Sequence, residues 1–362
     1  MVLAVNTYTI YIRGEGIFVM SKKFAAITLT LLLTFMVVLS GCSSSQQGPQ
    51  TALSKAAANA LKMTSYQFSN TIKVNEIELG SANPLVSLLK NAEIHVDGVY
   101  QNDPMQTEMR VDIKLHGQTP QTITMPIIFT KDKIYFKYPN IPLIAVPDTV
   151  KDKFIVMDLA EATQLDSVIN PKMIEPKTTL ALMSEMTKVL TDTYDGKSYF
   201  KEIDPKDAAL PAGVEAKQVI QFNVGNENAK EAAQLFVNKA LPKMLDIAAK
   251  DEYAGVIGKT PEQIAEWNKN VKANSAKYVD NVKVNLLTIK SAIDANDFPS
   301  YQDITLNVEL NDPKTNKASK LSLQSTSQYT KINEKQTFAT GIPKDTITLE
   351  QFEQAMKGIG VN

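Results

Sequence analysis

The chain has 362 residues, with 38 basic and 39 acidic side chains, a formal charge of −1 and 44% hydrophobic residues. That balance leaves no electrostatic footprint for nucleic acid and no polybasic signal for anionic lipid headgroups. The single cysteine excludes an internal disulfide, so stability must come from a packed core, and the length allows one large domain or two smaller ones.

Nothing in residues 1–19 suits an export signal. Gly14-Glu15-Gly16 would be encoded by purine-rich codons shortly before Met20, the pattern of a ribosome-binding site read as protein. Synthesis is therefore expected to start at Met20, with residues 1–19 an upstream extension. From Ser21-Lys22-Lys23 an uncharged apolar run extends to Ser40, giving the basic, apolar and small-residue parts of a secretory signal. The run is shorter than the ~20 residues a spanning helix needs.

Leu39-Ser40-Gly41-Cys42 resembles the lipobox of bacterial lipoproteins. That resemblance implies cleavage ahead of Cys42 and a diacylglyceryl group on its thiol. The protein would then be held on the extracytoplasmic face of the cell membrane. Residues 20–41 are the expected signal peptide. Residues 42–51, rich in Ser, Gln, Gly and Pro, are an expected flexible tether, and residues 52–362 the globular body. The processed chain would carry a formal charge of −3.

Leu53, Ala56, Ala57, Ala60 and Leu61 recur at helical spacing and predict a short helix after the tether. The period then changes to two. Alternation through Tyr66–Val74, Ala92–Tyr100, Met105–Leu115 and Ile123–Phe129 predicts strands, with turns at Asn102-Asp103-Pro104 and Gln118-Thr119-Pro120. Ile134-Tyr135-Phe136 and residues 154–157 continue the meander. One apolar and one polar face per strand is the antiparallel habit.

A helix is expected around residues 181–190, then strands at 198–203 and 215–224. The apolar stripe from Ala229 to Met244 predicts a long helix kinked at Pro242. Thr260-Pro261-Glu262-Gln263 reads as a capping box opening a helix through Ile264, Trp267 and Val271. Strands return at Val282–Leu286, Ile304–Leu310 and Leu321–Leu323. Thr348-Leu349-Glu350-Gln351 is a second capping box, with Ile347 and Phe352 placed for a hydrophobic staple. The halves 52–160 and 195–362 echo each other in an Asn-Asp-Pro turn and an opening Ser-Tyr pair, Ser65-Tyr66 and Ser198-Tyr199. Asn-Asp-Pro makes a good turn in any protein, so duplication is the less favoured reading.

Enzyme signatures are missing, and no catalytic residue, metal site or cofactor is expected. Residues 255–260 would need glycine at position 253 to form a phosphate loop, and that position is Tyr253. Ser87-Leu88-Leu89-Lys90 lacks the companion motifs of Ser-x-x-Lys enzymes. His95 and His116 have neither the helical spacing nor the cysteine neighbours of a metal site and read as surface residues.

What remains is an apolar sheet face carrying Phe68, Ile72, Met109, Val111, Ile113, Met125, Phe129 and Phe136. Either helices cover it as ordinary core, or sheet and helices leave an apolar cavity between them. The lipobox, first helix and meander, with Gly98-Val99-Tyr100-Gln101-Asn102-Asp103-Pro104 and Asp132-Lys133-Ile134-Tyr135-Phe136-Lys137, are similar to LolA/LppX-type lipoproteins. The resemblance implies an α+β fold: a large antiparallel sheet curved as a half-open barrel with helices on the concave face; the helical insertion between Asn226 and Ala276 is larger than the simplest members would have and departs from that pattern. The resemblance also implies binding of a lipid or other apolar ligand, with the eight residues above as cavity lining. The alternative is a non-enzymatic envelope structural or assembly protein acting through protein–protein contacts.

Overall fold

The computed structural model describes residues 48–78, 89–116, 120–139, 146–159, 175–312 and 317–357. Cys42, the signal segment and the Ser87–Lys90 motif up to Leu88 lie outside the described residues.

The stretches of period two become strands of one twelve-stranded sheet. They are β1 (Ser65–Glu78), β2 (Glu93–Asn102), β3 (Met105–Leu115), β4 (Gln121–Thr130), β5 (Lys133–Lys137), β6 (Phe154–Asp158), β7 (Phe200–Ile203), β8 (Gln218–Val224), β9 (Val282–Ile293), β10 (Pro299–Asp312), β11 (Lys317–Thr330) and β12 (Thr346–Thr348). The spatial order is β12-β6-β5-β4-β3-β2-β1-β11-β10-β9-β8-β7. Two meanders therefore run outward from a central β1–β11 pair, and the two outer edges are not joined into a barrel. The Asn-Asp-Pro turn closes the β2–β3 hairpin as expected, with Asn102 opposite Met105.

The sheet is mixed rather than wholly antiparallel, because β12 pairs parallel with β6. A parallel pair cannot be joined by a tight turn and needs a long crossover. Most of the chain separates β6 from β12, and residues 331–345 lead from β11 to β12 as a strap. Asn333 N–H bonds Ser65 O at 2.7 Å, and Ser65 Oγ donates to Glu334 O at 2.6 Å. Further on, Thr340 N–H and Gly341 N–H donate to the two oxygens of Glu108 at 2.8 and 3.0 Å.

The helices are α1 (Pro49–Ala60), α2 (Pro176–Thr193), α3 (Gly196–Tyr199), α4 (Ala229–Leu235), α5 (Leu241–Ala248), α6 (Asp251–Ala254), α7 (Pro261–Asn281) and α8 (Leu349–Lys357). Three differ from the sequence-based expectation. First, α1 begins at Pro49, inside the expected tether 42–51, because proline suits a first helical position and Gln50 finds partners on α2. Second, Ser198 and Tyr199 belong to α3 rather than to a strand. Asp195 caps them, its Oδ2 accepting from the N–H groups of Lys197 and Ser198 at 3.1 and 2.8 Å. Third, the stripe from Ala229 is continued by a π-turn, Phe236–Ala240, where Leu241 N–H reaches back five residues to Phe236 O. Pro242 has no N–H to continue the ordinary ladder, and the wider turn accommodates it.

Both capping boxes form. Thr260 N–H donates to Gln263 Oε1 at 3.1 Å and Gln263 N–H to Thr260 Oγ1 at 3.3 Å. The Thr348–Gln351 pair does the same at 2.9 and 3.2 Å. At the second box Ile347 pairs with Ile155 in the sheet, while the Phe352 ring lies 5.2 Å from that of Tyr138.

Core packing divides the helices. One apolar cluster joins α1, Leu180 of α2 and Ala232 of α4 to Tyr66, Tyr100, Phe222, Ile289 and Ile304 of the sheet. A second, made of α2, α5, α6 and α7 around Leu182, Leu245 and Ile264, is purely helical. The helical insertion thus builds a core of its own beside the sheet.

Candidate functional site

In an antiparallel ladder, directly opposed residues share a face. Register therefore shows where the eight apolar candidates lie. Phe68 opposes Gly98, Gly98 opposes Met109, Met109 opposes Ile127 and Ile127 opposes Phe136. Ile72 is linked through Ile94 to Ile113, Val111 opposes Met125, and Phe129 opposes Thr107 and Ile134. All eight stand on one face of the sheet.

They do not share one environment. Ile72, 8% exposed, sits in a closed cluster with Leu306, Leu321 and Leu323. Phe129, 4% exposed, is core with Ile134 and Met157, and Met109, Phe136 and Leu349 of α8 pack against this group. Phe68 packs against the aromatic cluster of Tyr66, with ring centroids 6.0 Å apart. Val111, Ile113 and Met125 are half-buried, in the middle of the face.

The reason is the placement of the helices. On the same sheet, α1, α4 and α7 lie against strands drawn from β7, β9 and β10, and α8 lies against β6 and β12. No described helix makes comparable contact with β2, β3 or β4. Among the described residues, the six neighbouring strands from β11 through β1 to β5 have no such helix contact, although Tyr66 of β1 and Tyr100 of β2 join the apolar cluster of α1. Sequence reasoning did not include Ile94, Val96, Ile123 and Ile127 among the face residues, of which Ile94 packs against the Ile72 cluster and Ile127 against the Phe129 cluster. Their alternation was visible, but only strand pairing puts them beside Val111 and Met125. All four are half-buried. Among the described residues, helices cover the face as core at both ends, α1 and α4 over the Tyr66–Ile304 cluster and α8 beside Phe129 and Ile134.

The polar groups of this face are few on β2–β4. Thr107 is buried, and its Oγ1 has no hydrogen-bond partner among the described residues. Tyr100 donates to Asn102 Oδ1 at 3.2 Å. Burial pushes the Tyr66 hydroxyl well above its usual range, helped by Tyr329 and Tyr100, and pushes Tyr329 to about 12. These phenols stay neutral and act as core, not as acid–base groups.

The opposite face carries a polar network on β1–β3, beside an apolar cluster of Ile128, Tyr135 and Phe154 on β4–β6. His95 lies there, as its strand parity implied, with Nδ1 2.9 Å from Thr71 Oγ1 and Nε2 3.1 Å from Lys114 Nζ. Its Nε2 also touches Glu93. Hydrogen bonds from Lys114 and then His95 lower the Glu93 carboxyl to about 2. This is a cross-strand network of partly exposed side chains. Among the described residues no group of three or more His, Cys, Asp or Glu is placed to hold a metal ion. His116 is exposed just past the end of β3. Tyr253, where a phosphate loop would need glycine, is buried and donates to Glu185 Oε1 at 2.9 Å. No described helix is long and apolar enough to cross a membrane.

Compared with models of known protein families, the chain matches none, and no curated protein is significantly similar to it. Among solved structures it aligns with a bifunctional dehydratase-cyclase domain in ambruticin biosynthesis. The alignment covers 84% of this chain and 82% of that one, at 12% identity and a TM-score of 0.11. So poor a superposition bears neither on fold nor on chemistry.

Proposed function

We propose that this protein is a lipoprotein anchored through Cys42 to the extracytoplasmic face of the membrane, and that it binds acyl chains along the apolar face of β2–β4. The observation that carries this reading is the half-buried apolar row of Val111, Ile113, Met125 and their register partners, bordered on both sides by helices. A contiguous apolar face that is not closed into core is the kind of surface that takes up an apolar ligand. Methionines at its centre suit a ligand of variable shape, since the thioether chain adapts its rotamers. The architecture, with meanders leading out from a central strand pair and helices on one face, agrees with a half-open barrel of the LolA/LppX type.

The magnitudes are adequate. Each methylene transferred from water contributes about 0.8 kcal/mol. Ten of them give about 8 kcal/mol, which corresponds to micromolar affinity before ordering costs are subtracted. Thr107, buried with an Oγ1 unpartnered among the described residues, is the polar group that such an acyl chain would meet on this face.

Native mass spectrometry of the body without its anchor, with uptake of a fluorescent fatty acid, tests the reading. Co-purified lipid mass and saturable uptake are expected. Val111→Asp should weaken uptake at least tenfold while the circular dichroism stays that of the parent. A clean apo mass with no uptake would reject lipid binding and favour the protein-contact alternative.

A further inference from the structure

Covalent geometry limits where a lipid-anchored body can sit. Cys42 and Gly48 are six residues apart. At about 3.6 Å per extended residue they cannot be separated by more than about 22 Å. The twelve strands, about 4.8 Å apart, measure on the order of 50 Å from edge to edge if laid flat. So short a connection holds one corner of the body at the bilayer and leaves the far edge standing off.

The structure shows which corner. The chain is fixed from the first turn of α1, where Gln50 Nε2 donates to Thr191 O at 2.7 Å and to Tyr194 O at 2.8 Å. One turn later Ser54 Oγ and Thr191 Oγ1 are 3.0 Å apart. The Gln50 side chain also lies against Gly196, leaving no room there for a Cβ. The start of α1 is thereby bound to the end of α2 and to α3. A residue two positions beyond Gly48 already belongs to the rigid body, so little play is added to the reach of the tether.

We propose that this corner, formed by the first turn of α1, the last turn of α2 and α3, is the surface that faces the lipid bilayer. This rests on the reading of Cys42 as the lipid anchor. The exposed side chains near it are Asp192, Asp195, Lys197, Ser198, Lys201 and Glu202. Their mixed charge suits contact with zwitterionic headgroups, and none is apolar enough to insert. Beyond α3 the chain enters β7, one edge of the sheet. The strap residues Lys344 and Asp345 are exposed beside β12 at the other edge.

The experiment uses full-length acylated protein in phosphatidylcholine vesicles that contain a lipid with a nitroxide on its headgroup. Lys197→Cys and Lys344→Cys are each labelled with a small fluorophore, the Cys42 thiol being blocked by its lipid. The label at position 197 should be quenched several-fold more than the one at 344. Inserting fifteen Gly/Ser residues after Ser45 should abolish the difference while the protein stays vesicle-bound. Equal quenching, or stronger quenching at 344, with a diacylglyceryl mass on Cys42 overturns the orientation and leaves the anchor standing. Absence of that mass overturns both.

Discussion

At Gly98 an added Cβ would lie 2.7 Å from the carbonyl oxygen of Glu108 and would run into the Phe68 ring. The glycine is required by close approach rather than by an unusual backbone angle. Phe68 crosses the neighbouring strand there because its register partner has no side chain. Gly98→Val is expected to cost about 1–3 kcal/mol through overpacking, measured as a shift in urea midpoint. Adding Phe68→Ala should recover part of the loss, since the ring yields and the Glu108 carbonyl does not. If the double variant were no more stable than Gly98→Val alone, the clash with the ring would not be the cause. Gly98 and Phe68 were both visible in the sequence as members of alternating strands. Their pairing depends on strand register and was not visible.

Among elements, the strap of residues 331–345 is held differently from the strands it crosses. It is tied to the sheet by side chains, above all by the Glu108 carboxylate receiving two backbone N–H groups. Hydrogen bonds to a charged acceptor are worth about 1.5–3 kcal/mol each at most, and less where water competes. Glu108→Ala should therefore loosen the strap locally without unfolding the sheet. Tryptic cleavage after Lys344 should be several-fold faster, with only a small drop in melting temperature. Unchanged cleavage would show that the contacts near Ser65 and the β12 pairing hold the strap by themselves.

Local chemistry explains why some elements were legible and others were not. Both capping boxes are short-range devices, with a threonine and a glutamine three residues apart, and both form as read. The tether boundary was misplaced because Gln50 is committed to helix by partners on α2, 141 and 144 residues away. Ser198-Tyr199 reads as the start of a strand by composition, yet Asp195 draws the backbone into a turn first. The π-turn follows from Pro242, which the sequence displayed, but whether proline bends or widens a helix depends on what packs around it. Here Asn268 of α7 donates to the Pro242 carbonyl at 3.0 Å.

For the whole molecule, the anchor and the body are separable. No described helix is long and apolar enough to cross a membrane, so none of them would assist the proposed anchor on Cys42 as a span. The described residues already form a sheet with its own helical cover. Replacing Cys42 with Ala should release the protein from membranes while its thermal midpoint stays within about 1 °C of the parent body. Membrane fractionation after signal cleavage measures the first and calorimetry the second. Continued membrane association of the cleaved variant would mean that a surface of the body binds membranes without the lipid.

Sequence by itself determined the chemistry that acts locally: the alternation that makes strands two-faced, the helix-opening threonines and the apolar identity of the eight face residues. It could do so because those signals depend on neighbours a few positions apart. Only the tertiary structure decided which apolar residues are core and which stay half-buried in the middle of the face. That choice is made by where α1, α2, α4, α7 and α8 settle on a sheet whose central pair, β1 and β11, joins opposite ends of the chain. Burial is a property of that distant packing, so Ile72 and Val111, alike in the sequence, end in different surroundings.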